Sequence, residues 1–239
     1  MNWDSICFDL DNTLFDYEQT FQLTMEYCFQ HISTRYGYAI PTKTWFASFK
    51  RYCDYYWPDY ASGKLTTQQY KRNRYISSMA DFQIQVTSDE SDLLQKKFNE
   101  SVAHFVRPFP GIKTLLMTLR DEHIKLGIIT NGNLSIQMKK IAGLGLSPFF
   151  PHQTIFVSEE YQIAKPNPTI FQIAQHTLQA DSCLYIGDSL EHDVVGAKKA
   201  GWDVVYFNTR RKPMENENAT KICYNIDELS SFLLCKDTR

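Results

Sequence analysis

The sequence has no long apolar run, no excess of basic charge and no paired cysteine motif, and each absence removes a class of protein. No segment approaches the roughly 20 apolar residues that span a bilayer. The opening Met-Asn-Trp-Asp-Ser-Ile has no basic region leading into an apolar stretch. A cytoplasmic protein with no membrane partner is therefore expected. The 25 Lys and Arg against 27 Asp and Glu leave a formal charge of -2, which argues against a basic face that would hold a nucleic acid polymer. Ten glycines and nine prolines in 239 residues are too few for a collagen-like or low-complexity chain. The cysteines at 7, 28, 53, 183, 223 and 235 form no CxxC pair, and several stand in apolar runs such as Ile6-Cys7-Phe8. Buried thiols in a reducing compartment are expected, with neither bridges nor a zinc site.

What is present is a repeated shape. An apolar run from Ile6 to Leu10 ends at Asp11-Asn12-Thr13, Leu126 to Ile129 ends at Thr130-Asn131-Gly132, Leu184 to Ile186 at Gly187-Asp188-Ser189, and Val204 to Phe207 at Asn208-Thr209. Thr154 to Val157, ending at Ser158-Glu159-Glu160, is a fifth candidate strand. Helical patterns lie between them: Ile136/Lys140/Leu144, then Phe171/Ala174/Leu178 behind Asn167-Pro168, then a helix from Leu190 to Ala200 with Ser189 as N-cap and Gly201 after its end. Strands alternating with helices predict an α/β fold with a doubly wound parallel sheet, whose ligands sit at the carboxyl ends of the strands.

Residues 17–105 break this rhythm. They carry four helical stripes, Phe21/Met25/Cys28/Ile32, Phe46/Phe49/Cys53/Tyr56, Tyr70/Ile76/Met79 and Leu94/Phe98/Val102/Phe105, and no convincing strand. Gly37 is expected to end the first helix, Pro58 to follow the second, and Thr66 to Gln69 to form a capping box for the third. The chain divides into a core of residues 1–16 and 106–239 and an inserted all-helical domain of residues 17–105, with Pro108-Phe109-Pro110-Gly111 returning to the core. Residues 209–220, with Arg210-Arg211-Lys212 followed by Glu215 and Glu217, read as a solvated surface loop.

Asp9-Leu10-Asp11-Asn12-Thr13 puts two carboxylates at the end of a buried strand. Alone it is compatible with a solvated turn. A calcium-binding EF-hand is excluded, because Leu14 stands where the loop needs Gly and Thr20 where it needs Glu. Thr130-Asn131, Lys165-Pro166-Asn167-Pro168 and Gly187-Asp188-Ser189 with Asp193 follow it in order. Singly, Thr130 could cap a turn, Lys165 could be a surface lysine and Asp193 a helix N-terminal acid.

Together these segments resemble the four motifs of the haloacid dehalogenase (HAD) superfamily, over essentially the whole chain from Ile6 to the final helix near Leu229 to Leu234. The resemblance implies a Rossmann-like core with a type-1 helical cap at residues 17–105. It implies Asp9 as a nucleophile forming an aspartyl-phosphate, and Asp11 as the acid that protonates the leaving oxygen and the base that then activates water. It implies Mg2+ held by Asp9, the Asp11 backbone carbonyl, Asp188 and Asp193, and phosphate bound by Thr130, Asn131 and Lys165. By formal charge, four carboxylates, one Mg2+ and Lys165 leave the site at -1, so a phosphate dianion would be repelled without metal and activity should need Mg2+.

The carboxylate at Asp11 implies a phosphatase or phosphomutase, since dehalogenases of the superfamily lack it. Ile128-Ile129-Thr130-Asn131-Gly132, Ser158-Glu159-Glu160 before Lys165-Pro166-Asn167, and Trp57 with Gly63-Lys64-Leu65-Thr66 resemble bacterial pyrimidine 5′-nucleotidases. The implied substrate is a small phosphomonoester, a pyrimidine nucleoside monophosphate such as UMP, dUMP or dTMP. The alternatives are a sugar-phosphate phosphatase of the acylneuraminate 9-phosphatase type, a phosphomutase, or a non-catalytic binding protein. The insert holds 19 of the chain's aromatics, most of them expected to build its own core. Phe15, Asp16 and Trp57 are the candidates for substrate contact, with hinges expected near Asp16-Tyr17 and Arg107-Pro110. Nothing in the sequence demands a protein partner.

Overall fold

The apolar runs do what their composition favours, pairing side by side and burying both faces. In a computed structural model that describes residues 2–213 and 219–235, they form strands β1 (Ser5–Phe8), β2 (Lys125–Thr130), β3 (Ile155–Val157), β4 (Cys183–Gly187), β5 (Asp203–Phe207) and β6 (Lys221–Cys223). Among the described residues these make one parallel sheet in the order β3-β2-β1-β4-β5-β6. Ile6, Phe8, Ile128, Leu184 and Ile186 fill one side of it, while Cys7, Ile129, Tyr185 and Val204 fill the other. Such two-sided burial is what continuous β-branched and aromatic runs imply in a parallel sheet.

The chain separates into two compact units, Met1–Tyr17 with Val106–Arg239, and Glu18–Phe105. Unit two is built from the helices α1 (Tyr17–Tyr36), α2 (Thr42–Ala61), α3 (Thr67–Ala80) and α4 (Ser88–Phe105). Its centre is aromatic: Trp45 is fully buried and stacks on Phe29 at 4.0 Å and on Phe49 at 4.9 Å. Thr66 caps α3 in the expected box, its hydroxyl accepting from the Gln69 N–H while the Gln69 side chain accepts from the Thr66 N–H.

The flanking helices of unit one are α5 (Ile112–Asp121), α6 (Leu134–Gly143), α7 (Ser158–Tyr161), α8 (Pro168–Leu178), α9 (Val195–Lys199) and α10 (Ile226–Leu234). A single wider turn at Leu190–Val194 precedes α9 and is capped by the Ser189 hydroxyl, which accepts from the His192 N–H.

Two expectations are corrected and two elements are added. Pro58 lies inside α2, not after it; it falls in the last turn, exposed, where a missing N–H removes one bond and its own carbonyl still accepts from Ser62. β6 was not anticipated, because only Cys223 of its three residues is buried and an edge strand that short carries no periodic signal. α5 escaped because it follows the return segment with no side-chain cap: Gly111 at its N-terminus has φ +85°. Cys235 is exposed, whereas the other five thiols are buried. Glu215 and Glu217 lie outside the described residues.

Parallel order and register bring the carboxyl ends of β1, β2, β4 and β5 to one edge. Phe8 pairs with Ile128 on one side and Ile186 on the other, and the Asp9 N–H donates to the Ile186 carbonyl at 2.8 Å. β1 is the point at which the connections switch direction across the sheet, the usual place for a ligand crevice.

Candidate active site

Asp9 leaves the end of β1 buried, with only 7% of its surface exposed. A lone carboxylate there would carry a large desolvation cost, and Lys165 supplies the counter-charge. The Lys165 ammonium is itself buried and donates to Asp9 Oδ1 at 2.7 Å, to Asp193 Oδ1 at 2.6 Å and to the Tyr185 hydroxyl at 2.8 Å. All three of its protons have acceptors.

These contacts oppose burial with different outcomes. Burial pushes the Asp9 carboxyl up, to about 8, against the pull of Lys165 and with the repulsion of Asp193 and Asp11 adding to it. For Lys165, burial lowers the ammonium, but Asp193 and Asp9 outweigh it and the net direction is up. Tyr185 is raised well above the usual phenol by burial and by the charges of Asp193 and Asp9. Its hydroxyl stays protonated and lies 2.8 Å from the Ile129 carbonyl oxygen.

Asp193 is placed by the turn that precedes α9. Its second oxygen, Oδ2, accepts from the Ser189 N–H at 2.9 Å. Asp188, at the end of β4, is half-buried and pairs with Arg210 at 2.6 Å and Lys212 at 3.3 Å. One oxygen each from Asp9, Asp188 and Asp193 lie within 4.8 Å of one another. An all-oxygen, acidic donor set of this kind fits a hard divalent cation such as Mg2+ and does not fit a soft one.

On the other side of β1, Thr130 ends β2 fully buried, and its hydroxyl accepts from Gln137 Nε2 at 2.7 Å. The Asn131 side chain clamps the backbone of Lys165: its Oδ1 accepts from the Lys165 N–H at 2.9 Å and its Nδ2 donates to the Lys165 carbonyl at 3.0 Å. Of the expected phosphate-binding residues, Asn131 and Lys165 are thus hydrogen-bonded to each other, and Gln137 Nε2 links Thr130 to the Asn131 carbonyl. Ser158 and Glu159 hold the loop between β2 and α6, accepting from the Gly132 N–H and from Asn133 and the Leu134 N–H.

Asp11 is held from α6, where Lys140 donates to both of its oxygens, at 2.8 Å and 2.9 Å. Gln137, one turn earlier, reaches Asp11 Oδ2 at 3.2 Å. Neither residue was anticipated as part of the site. The signal was there in α6, whose buried positions are Gln137, Lys140 and Ile141: a polar amide and an amine on the inward stripe of a helix need partners. Tyr185 lies within an apolar run, and Arg210 and Lys212 fall in a segment whose charged composition predicts a solvated loop.

These cations change the charge reckoning. Counted with every carboxylate ionised, Asp9, Asp11, Asp188 and Asp193 are met by Lys165, Lys140, Arg210 and Lys212, so their formal charges cancel. A bound Mg2+ would then give the site +2, matching a phosphate dianion, in place of the -1 counted from sequence. Among the candidates for substrate contact, Phe15 is fully buried in the core and packs edge-on to Tyr17. Asp16 is exposed beside it, and Trp57, on α2, is 53% exposed.

The chain is similar to several known proteins. The pyrimidine 5′-nucleotidase YjjG of Escherichia coli (strain K12) is 30% identical over 99% of this chain and 100% of its own length. The pyrimidine 5′-nucleotidase PynA of Streptococcus pneumoniae is 25% identical over 97% of this chain and 94% of that relative. The HAD-hydrolase YfnB of Bacillus subtilis, whose crystal structure bound to magnesium reveals interdomain movement, superimposes with a TM-score of 0.80 at 25% identity, covering 99% of this chain and 100% of that one. The family model for haloacid dehalogenase-like hydrolases matches residues 6–207, and with the buried Asp9–Lys165–Asp193 cluster at the carboxyl edge of its sheet the chain belongs to that family of hydrolases.

Proposed function

We propose that the protein is a Mg2+-dependent phosphomonoester hydrolase that works through an aspartyl-phosphate, acting as a 5′-nucleotidase on pyrimidine nucleoside monophosphates. The observation that carries the chemistry is the triple contact of Lys165 with Asp9, Asp193 and Tyr185. It holds one carboxylate buried, oriented and charge-matched at the mouth of the sheet, as a nucleophile toward a dianion requires. Near-full-length similarity to two pyrimidine 5′-nucleotidases supports the substrate class.

Asp9 attacks phosphorus as the ester P–O bond breaks, and Asp11, carrying the proton it took from water at the close of the previous turnover, gives that proton to the departing ribose oxygen. Asp11 then takes a proton from water as the water oxygen bonds to phosphorus and the Asp9–phosphorus bond breaks. The Thr130 hydroxyl, a backbone N–H of Asn131 and the Lys165 ammonium bind the phosphoryl oxygens. Asp9, Asp188, Asp193 and the Asp11 carbonyl would hold Mg2+, which when bound neutralises charge on the transferring group. Asp16 and Trp57 are the proposed specificity residues, and residues 17–105 the proposed cap of the family. A cytoplasmic location is part of the same proposal; no helix among the described residues is long and apolar enough to cross a membrane.

The test is phosphate release with Mg2+ across nucleoside monophosphates, sugar phosphates and phosphoamino acids. A preference for pyrimidine monophosphates, loss in excess EDTA and an inactive Asp9→Asn protein are expected. Preference for sugar phosphates would discard the substrate; unchanged release by Asp9→Asn would discard the mechanism.

A further inference from the structure

Asp9 and Asp11 are two residues apart, and each has its own buried lysine. Lys165 serves Asp9 from the loop before α8, and Lys140 serves Asp11 from α6. Lys140 has only 5% of its side chain exposed and engages both oxygens of Asp11. Its ammonium also stands 4.6 Å from the centroid of the Tyr17 ring and 5.9 Å from that of Phe15. Gln137, three residues earlier on the same face, donates to Asp11 Oδ2 at 3.2 Å and to the Thr130 hydroxyl at 2.7 Å.

A buried amine that answers to a single carboxylate costs desolvation which a surface pair would not incur. The gain available is orientation. Two contacts to two oxygens fix the plane of a carboxylate, and a third contact from Gln137 ties that plane to Thr130. Asn12, between the carboxylates, has φ 61°, a left-handed conformation that asparagine tolerates, and its side-chain oxygen accepts from the Tyr17 N–H. The turn is thereby closed onto the residue that Lys140 covers.

We infer that Lys140 and Gln137 are positioning residues that hold the Asp11 carboxylate where it can exchange a proton with the leaving oxygen and then with water. This rests on the proposed function, in which Asp11 is that acid and base. An unheld Asp11 could rotate about its side-chain bonds toward bulk water, and a proton donor misplaced by about 1 Å can cost on the order of 100-fold.

The test compares two substrates on one preparation of the full-length protein with Mg2+. Uridine 5′-monophosphate has a leaving alkoxide that needs a proton, whereas the p-nitrophenolate of p-nitrophenyl phosphate departs as a stable anion. kcat/KM reports events up to the first irreversible step, so it senses leaving-group protonation without the later hydrolysis. Because both rates come from the same sample, a misfolded fraction cancels in their ratio. For Lys140→Met, kcat/KM on the nucleotide should fall about 100-fold and on the aryl ester by about tenfold or less, within the range general acids supply. Gln137→Ala should bias the ratio in the same direction, and Lys140→Arg should restore part of it. Equal losses on both substrates, or none on either, would overturn the inference. Asp9→Asn and Asp11→Asn separate this from failure of the underlying reading. An active Asp9→Asn protein sinks both. An inactive Asp9→Asn with no leaving-group bias in Asp11→Asn removes the acid role, and the positioning of Asp11 falls with it.

Discussion

A Cβ placed on Gly187 would collide with the carboxyl group of Asp193. Gly187 ends β4 and Asp193 follows six positions on, so the strand yields its side chain to let a buried carboxylate lie against its backbone. Relief by Asp193 would mean leaving Lys165 and the Ser189 N–H. Gly187→Ala should therefore displace Asp193 and weaken Mg2+ binding by at least about tenfold, while a steric clash of this kind costs about 1–3 kcal/mol in stability. Titration calorimetry with Mg2+ and thermal unfolding measure the two effects; unaltered Mg2+ affinity would exclude Asp193 from the metal set.

Removing Lys165 tests the other side of that contact. Lys165→Met leaves the Asp9 and Asp193 carboxylates buried without their shared cation. Breaking a buried ion pair from one side costs about 3–5 kcal/mol, and urea denaturation should show a loss of that order. Adding Asp193→Asn removes one of the orphaned charges and should recover part of it, a coupling that distant sites would not show.

How far the sequence discloses this site depends on which direction a polar residue points. Asp9, Asp188 and Thr130 stand at the polar ends of apolar runs, and a parallel sheet gathers such ends on one edge, so their grouping is legible in the sequence. Lys165 and Asp193 become legible only through their order relative to the others. Lys140 and Gln137 were visible as letters on a helix, but their role depends on α6 turning that face toward Asp11, which periodicity alone does not specify. Tyr185 belongs to the same class: its neighbours Leu184 and Ile186 face the opposite side of the sheet, and only the fold shows its hydroxyl meeting Lys165. Pro58 misled in the other direction, since a proline near a helix end is tolerated where the lost hydrogen bond falls in the last turn.

Proton and metal compete for Asp9. Burial lifts this carboxyl to about 8 in the metal-free protein, whereas a metal ligand must be ionised. Below about pH 8 a proton has to leave before Mg2+ binds, so apparent affinity should rise with pH, by up to about tenfold per unit, and level off above it. Calorimetry at pH 6, 7, 8 and 9 in buffers of different ionisation enthalpy would show proton release at the lower values and none at the highest. Affinity independent of pH across that span would mean that Asp9 is already ionised or is not a ligand.

Trp57 offers the means to separate substrate recognition from chemistry. It is 53% exposed, with its ring meeting Tyr60 and Tyr70 edge-on at 5.6 Å and 6.1 Å, so unit two does not need it as a core residue. An exposed indole can stack a pyrimidine base, an interaction worth roughly 1–3 kcal/mol. If Trp57 does so, Trp57→Ala should lower kcat/KM for uridine 5′-monophosphate by about ten- to 100-fold while leaving p-nitrophenyl phosphate, which carries no base, nearly unchanged. The melting temperature should stay within about 2 °C, as befits a surface substitution. The two variants probe different things: Trp57→Ala senses the base, whereas Lys140→Met senses the proton demand of the leaving oxygen. Ribose 5-phosphate separates them, since it shares the primary alkoxide leaving group but has no base. Trp57→Ala should spare ribose 5-phosphate and Lys140→Met should not, and equal behaviour of the two variants on it would remove Trp57 from base recognition.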